Sequence, residues 1–230
     1  MPEVPAEGHT ARSSLASVLR GNVGLLALFF IGVLLPLWLF AELADEVREL
    51  EAMAFDDSLL LWLRNRAAPG LDAFFVFISQ VGYAWGVIPV DIGLCLALLA
   101  LRRWRQAVFA IAALGGSALL NLATKAFFQR DRPSLWESIA PEGTWSFPSG
   151  HAMGSMTLAA VVVLLCWSGR WRWPVLLAAL AFTGLVGLSR LYLGVHYPSD
   201  VLAGWAAGLA WVSACHLVLF RRQGAWQRRG

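Results

Sequence analysis

The chain has 230 residues, of which 58% are hydrophobic and 14% charged, against about 45–50% apolar and about 25% charged in a soluble globular domain. Its three cysteines are too few for a disulfide scaffold. A net charge of +3 is too small to suggest nucleic acid, and the arginines stand in short clusters between apolar runs, a pattern of membrane topology.

The expected fold is therefore all-α, a polytopic membrane bundle forming one domain over 1–230. A cytoplasmic tail, 1–20, carries Arg12 and Arg20. Six stretches then reach the about 20 mostly apolar residues that a spanning helix needs. The first is 22–41. Its apolar length exceeds the roughly 7–15 residues of a signal-peptide core, so it is read as a span. An acidic segment, 42–72, follows with Glu42, Asp45, Glu46, Glu49, Glu51, Asp56 and Asp57. Leu43, Val47, Leu50 and Ala54 recur there at roughly helical spacing, which predicts one or two amphipathic helices on the outer surface.

The second span is expected over 81–101 and carries Asp91, a costly residue at that depth unless paired. A hydrogen bond to a neighbouring helix is the expected partner. The remaining spans are 106–128, 151–168, 173–193 and 200–220, followed by a tail, 221–230. Cys95, Cys166 and Cys215 lie inside apolar runs and read as small packing residues. Gly115, Gly116, Gly154, Gly184, Gly187, Gly204 and Gly208 permit close helix approach, with Gly204 and Gly208 forming a small-xxx-small pair.

The arginines orient the bundle. Arg12 and Arg20, then Arg102, Arg103 and Arg105, then Arg170 and Arg172, then Arg221, Arg222, Arg228 and Arg229 all fall on one side of a six-span chain. That side is cytoplasmic by the positive-inside rule. Both termini are then inside, and 42–72, 129–150 and 194–199 face outward.

Polar residues collect at that outer level: Lys125, Arg130, Asp131 and Arg132 after the third span, Ser149, Gly150 and His151 opening the fourth, Ser189 and Arg190 ending the fifth, His196 and Asp200 opening the sixth. Apart from Arg130 and Asp131, the set offers three fixed cations (Lys125, Arg132 and Arg190), two imidazoles and one carboxylate, Asp200, with no second carboxylate. Hard metals want several oxygen ligands and zinc wants closely placed nitrogen or sulfur, so no metal is expected. Three cations suit a phosphate. Ser149 is a good N-cap, Gly150 lets backbone approach an anion, and a helix N-terminus attracts it. Asp200, one turn beyond His196, can orient that imidazole as a nucleophile. His151 is left as the proton donor to the leaving oxygen. Arg130 and Asp131 read as a surface ion pair or headgroup contacts, Tyr192 and Tyr197 as interfacial anchors, and His9 and His216 as structural or solvent-exposed.

Three motifs then stand in order: K-x6-R-P from Lys125 to Pro133, P-S-G-H over Pro148 to His151, and S-R-x5-H-x3-D from Ser189 to Asp200. Together they resemble the signature of the type 2 phosphatidic acid phosphatase family. The resemblance implies that His196 attacks phosphorus to form a phosphohistidine, that Asp200 orients it, and that His151 serves the leaving group. It implies that Lys125, Arg132 and Arg190, with Ser149 and the Gly150 N–H, hold the phosphoryl oxygens. It implies no metal and no other cofactor. The expectation is a bacterial-type inner-membrane lipid phosphatase acting at the outer leaflet, with the bilayer and a lipid phosphate as its partners and no nucleic acid. Undecaprenyl pyrophosphate ranks first among substrates and phosphatidylglycerol phosphate second, ahead of phosphatidic acid and diacylglycerol pyrophosphate. A phosphotransferase with the same nucleophile and a non-enzymatic transporter are the alternatives.

Overall fold

The structure, a computed structural model, describes residues 23–49 and 53–220. The basic clusters at either end of the chain, His9 and residues 50–52, Glu51 included, lie outside the described residues. The described chain is all-helical, with no strand. Its eight helices are α1 (Val23–Arg48), α2 (Ala54–Arg64), α3 (Pro69–Val81), α4 (Val87–Ala100), α5 (Trp104–Phe128), α6 (Gly150–Cys166), α7 (Arg172–Tyr192) and α8 (Pro198–Phe220). Helix α1 includes a π-helical turn over Phe30–Leu34. Four of the eight, α1, α5, α7 and α8, are long and apolar enough to cross a membrane, while α3, α4 and α6 are shorter apolar helices.

Two stretches differ from the sequence expectation. The first apolar helix does not stop at 41 but runs on to Arg48. Leu43, Ala44 and Val47 continue its buried stripe and pack with Met53, Phe147 and Ala203, so Glu42, Asp45 and Glu46 ride on the same helix. The second apolar run, 81–101, forms a shorter helix than expected, α4 starting only at Val87. Helix α3 ends at Val81, and a turn over 82–86 precedes α4. A Cβ on Gly82 would lie 2.8 Å from the Val186 methyls, and one on Gly86 would lie 2.1 Å from the Val81 carbonyl oxygen. Hydropathy averages over this turn because its flanks are equally apolar.

Helix α2 is amphipathic as its pattern requires. Leu60 and Leu63 are buried against Ala152, Leu191 and Val201, whereas Leu59, Leu61 and Trp62 are exposed. Asp56 and Asp57 occupy its first turn and Arg64 its last, each on the side the helix dipole favours.

The core that aligns the long helices joins Val87 and Leu98 of α4, Phe109, Ala110 and Ala113 of α5, Leu158 and Val161 of α6 and Val212 of α8. Close helix approach falls at particular glycines. A Cβ on Gly204 would come within 2.7 Å of the Ser149 carbonyl oxygen, and one on Gly208 within 2.9 Å of that of Met153. Helices α6 and α8 thus touch backbone to backbone, as small-xxx-small spacing permits. Gly116 and Gly187 receive the indole rings of Trp211 and Trp205. Gly115 and Gly184, expected in the same role, face open space. The buried hydroxyls of Ser117 and Thr157 pair at 2.7 Å between α5 and α6.

The three cysteines are free and half-buried. His216 stacks on Phe220, ring centroids 4.8 Å apart, and is structural. The hydrogen bond expected for Asp91 is absent: its buried Oδ1 has no partner. The side chain lies on α4 beside Val90 and Ile92, both exposed apolar residues.

Candidate active site

The site is built where α5, α7 and the first turns of α6 and α8 converge. Helix α5 ends at Gln129, whose left-handed backbone (φ 47°) directs its N–H back to the Lys125 carbonyl at 3.1 Å. The chain then crosses over 130–149 without regular structure. Its two ends are pinned: Ser146 N–H donates to the Arg130 carbonyl at 2.8 Å, and Ser149 N–H to the Asp200 carbonyl at 3.0 Å. Ser149 is the N-cap of α6, its Oγ accepting from Ala152 N–H at 3.5 Å. At Gly150 an added Cβ would stand 3.1 Å from Asn121 Oδ1 and 4.0 Å from Lys125 Cε, so only glycine leaves the helix N-terminus open beside the lysine. Lys125 is buried and its ammonium donates to the Trp145 carbonyl.

Between α7 and α8 the chain turns at Gly194, in the left-handed region (φ 67°), where a Cβ would lie 2.4 Å from the Trp136 ring. This tight turn sets His196 just ahead of α8, which begins at Pro198, the favoured residue for a first helical turn. His196 and Asp200 are fully buried. His196 Nδ1 lies 3.5 Å from Asp200 Oδ2 and 3.3 Å from Ser146 Oγ. The serine in turn donates to the same carboxylate oxygen at 2.5 Å. The imidazole is therefore steered by Asp200 and Ser146 together, since 3.5 Å is long for a direct hydrogen bond.

The opposite nitrogen, His196 Nε2, faces the cations. It lies 3.2 Å from Arg132 Nη1, which also donates to the Val195 carbonyl at 2.7 Å. Arg132 is further held by the Thr144 carbonyl at 2.6 Å and the Thr144 hydroxyl at 3.0 Å. Arg190, 1% exposed, donates to Ser79 Oγ through Nη1 and pairs with Glu142 through Nη2. The His151 ring lies 4.8 Å from that of Tyr83, centroid to centroid, tilted by 31°.

Glu142 corrects the expectation of a single carboxylate. Its Oε2 lies 2.7 Å from Arg132 Nη2 and 3.7 Å from His196 Nε2. Its Oε1 is paired with Arg190 and lies 3.5 Å from His151 Nδ1. Both arginines and both imidazoles thus meet around one anion. Burial alone would raise the Glu142 carboxyl, but the Arg190 charge and the two imidazoles close to it outweigh that and hold it well below the usual carboxylate range.

Arg130 is also corrected. It pairs not with Asp131 at the surface but with Asp200 Oδ1 at 2.7 Å and Asp56 Oδ2 at 3.0 Å. Its guanidinium lies 4.2 Å from the centroid of the Tyr197 ring. Burial alone would lower its pKa; the Asp200 charge and the bond to Asp56 reverse that and raise it. Asp56 also accepts from Ser199 N–H at 2.9 Å and Ser199 Oγ at 2.6 Å. Tyr192, read as an interfacial anchor, is buried and donates to Asp72 Oδ1 at 2.6 Å, tying α7 to α3.

All eight sequence-predicted residues therefore gather in one place, joined by Glu142, Ser146, Arg130 and Asp56. The arrangement is an anion clamp with an oriented imidazole on one side and a second imidazole on the other.

Comparison with known proteins follows the same lines. The sequence profile of the PAP2 superfamily matches residues 106–224. Phosphatidylglycerophosphatase B of Bacillus subtilis is 29% identical over 146 residues, covering 61% of this chain and 71% of that protein. An undecaprenyl-diphosphatase of Sulfolobus acidocaldarius is 29% identical over 166 residues, covering 70% of this chain and 76% of its own. The crystal structure of a transmembrane PAP2-type phosphatidylglycerolphosphate phosphatase from Bacillus subtilis superposes with a TM-score of 0.69 at 24% identity, over 78% of this chain and 93% of that one.

Proposed function

The chain belongs to the PAP2 superfamily, and from that premise we propose that it is a metal-independent lipid phosphatase working through a phosphohistidine. The observation that carries this reading is the clamp itself: Arg132 and Arg190 grip one carboxylate between the imidazoles of His196 and His151. A phosphoryl group offers the same cations more oxygens and more charge. Its transition state spreads charge over three equatorial oxygens, which fixed cations stabilise without a metal.

In the proposed reaction His196 Nε2 attacks phosphorus while the bond to the lipid oxygen breaks. His151 gives that oxygen its proton. Water then attacks the phosphohistidine, His151 takes the water proton, and the N–P bond breaks to release inorganic phosphate. Asp200 and Ser146 fix the imidazole so that Nε2 is the free nitrogen. Lys125, Arg132 and Arg190, with Ser149 and the Gly150 N–H, hold the phosphoryl oxygens.

The six-span reading takes α1, α4, α5, α6, α7 and α8 as spans, with the α2 region outside, both termini cytoplasmic, and the site at the outer leaflet of a bacterial inner membrane. It is supported by the gathering of Lys125, His151, Arg190 and His196 at corresponding ends of four helices. Undecaprenyl pyrophosphate and phosphatidylglycerol phosphate are the preferred substrates, in keeping with the activities for which the two relatives are named.

The test is trapping with radiolabelled lipid phosphate, using purified protein in detergent. Wild type is expected to form an acid-labile phosphoenzyme and to release phosphate in the presence of EDTA. His196→Ala is expected to do neither. Normal turnover in that variant would overturn the nucleophile assignment, and an absolute magnesium requirement would overturn the metal-free route.

A further inference from the structure

Glu142 has no role in the chemistry above, yet it sits where Arg132, Arg190 and both imidazoles converge. It sits between Pro141 and Gly143 on the irregular crossing from α5 to α6, and its side chain is 25% exposed. Both of its oxygens are engaged by groups assigned to the substrate: Arg132 and His196 by one, Arg190 and His151 by the other. Gly143 beside it has open space around it, so the backbone at this point is not wedged.

Resting on the phosphatase reading, we propose that Glu142 is a resident stand-in for the phosphoryl group, which every substrate must displace, and that it thereby sets the charge a headgroup needs to enter. Two anions cannot share this clamp. A carboxylate held within 4 Å of a bound phosphate would face strong like-charge repulsion in a site of low dielectric. Binding is therefore an exchange, and its free energy is the difference between two anions on the same cations. A phosphodiester headgroup carries one negative charge, so in replacing the carboxylate it adds no charge. A terminal phosphate monoester or pyrophosphate carries more charge and presents three free oxygens, so the exchange favours it. The distinction matters in a bilayer, where phosphodiester lipids surround the site at high local concentration. While Glu142 is seated it also stands 3.7 Å from His196 Nε2, and the nucleophile opens only when the exchange has taken place.

The prediction concerns affinity. A site whose competent state is a minor population binds more weakly by that fraction, and removing the competitor restores the difference. Orthovanadate binding to full-length protein in detergent, followed by tryptophan fluorescence, is expected to tighten about 10-fold in Glu142→Ala and Glu142→Gln if the carboxylate fills about nine-tenths of the clamps. Short-chain phosphatidylglycerol, a phosphodiester, is expected to inhibit hydrolysis by both variants at concentrations that leave wild type unaffected. Glu142→Gln keeps the side-chain volume and serves where the alanine variant does not fold. Unchanged or weaker vanadate binding in a folded variant overturns the proposal. So does build-up of phosphoenzyme in Glu142→Gln, which would make Glu142 a base for the water step. Wild type that neither binds vanadate nor releases phosphate from a panel of lipid phosphates would instead sink the phosphatase reading itself. If wild type does both and the variants bind no tighter, only the role of Glu142 falls.

Discussion

Arg130 and Asp200 form a largely buried ion pair, Nη1 to Oδ1 at 2.7 Å, directly behind the carboxylate that steers His196. The same guanidinium reaches Asp56 of α2, and Asp56 grips both the backbone and the hydroxyl of Ser199. A helix outside the three motifs thus takes part in holding the first turn of α8. Breaking a buried pair by removing one partner leaves a charge uncompensated, typically at a cost of about 3–5 kcal/mol. Arg130→Ala is expected to lower kcat about 10–100-fold, the effect of an imidazole held in the wrong orientation, with KM changed far less. Arg130→Lys keeps the charge but loses the fork to Asp56, and is expected to recover part of kcat. Steady-state kinetics on micellar lipid phosphate checks both. A rise in KM at constant kcat would instead make Arg130 a headgroup contact.

The contrast between Lys125 and Glu142 explains what a sequence of this kind reveals. Lys125, Arg132, Ser149, His151, Arg190, His196 and Asp200 sit at or next to the ends of apolar helices, and hydropathy locates helix ends. Topology alone then brings them to one level. Glu142 lies in a crossing with no periodicity, so nothing in the sequence says which way its backbone runs. Asp56 was misleading for a different reason. On an amphipathic helix a carboxylate reads as the wet face, yet its partner Arg130 arrives from a segment far along the chain and takes it out of water. The start of α4 at Val87 rather than near 81 is hidden because Gly82 and Gly86 turn the chain without adding polarity.

Gly204 tests whether the contact of α6 with α8 fixes the proposed phosphate site. The atoms an added methyl would meet are backbone, Ser149 O at 2.7 Å and Met153 N at 3.1 Å, and backbone cannot rotate away. Overpacking of this kind typically costs about 1–3 kcal/mol, and here it pushes on the N-cap residue itself. Gly204→Ala is expected to lower both Tm and kcat/KM. Gly115→Ala, where nothing lies within 4 Å, is the control. It is expected to hold or raise Tm, since alanine is favoured over glycine inside a helix by roughly 0.5–1 kcal/mol. Thermal unfolding and activity in the same detergent separate the two variants.

Lys125 is the only lysine in the chain, and its position argues for a compact ammonium. Its side chain is buried, bonded to the Trp145 carbonyl, with Cε against the space that Gly150 leaves open. Arginine is longer, and its planar fork needs a wider berth than a point-like ammonium. Lys125→Arg keeps the charge, yet it is expected to reduce kcat/KM by about 10-fold or more, through displacement of a charge from the phosphoryl oxygen. Comparison with Lys125→Ala separates charge from shape. Full activity in the arginine variant would mean that any cation serves there.

The ion pairs of Glu142 carry a signature in pH. Its carboxyl is held below the usual 4.5 because the Arg190 charge and the two imidazoles close to it outweigh the effect of burial. A carboxyl whose folded-state pKa is depressed adds stability that is present above its unfolded value and is lost as pH falls through the folded value. Glutamine cannot ionise, so Glu142→Gln lacks that contribution at every pH. The difference in Tm between wild type and Glu142→Gln is therefore expected to favour wild type from about pH 5 to about pH 9. It should narrow as pH falls below the usual carboxylate value, when the wild-type side chain begins to protonate in the unfolded state. Titrating groups remote from Glu142 are common to both proteins and cancel in the difference, so the acid limb is the part that reports on Glu142. Thermal unfolding across that range checks the sign. A gap that widened on acidification would mean that Glu142 is held as a neutral acid, and a neutral acid would not oppose an incoming phosphate by charge.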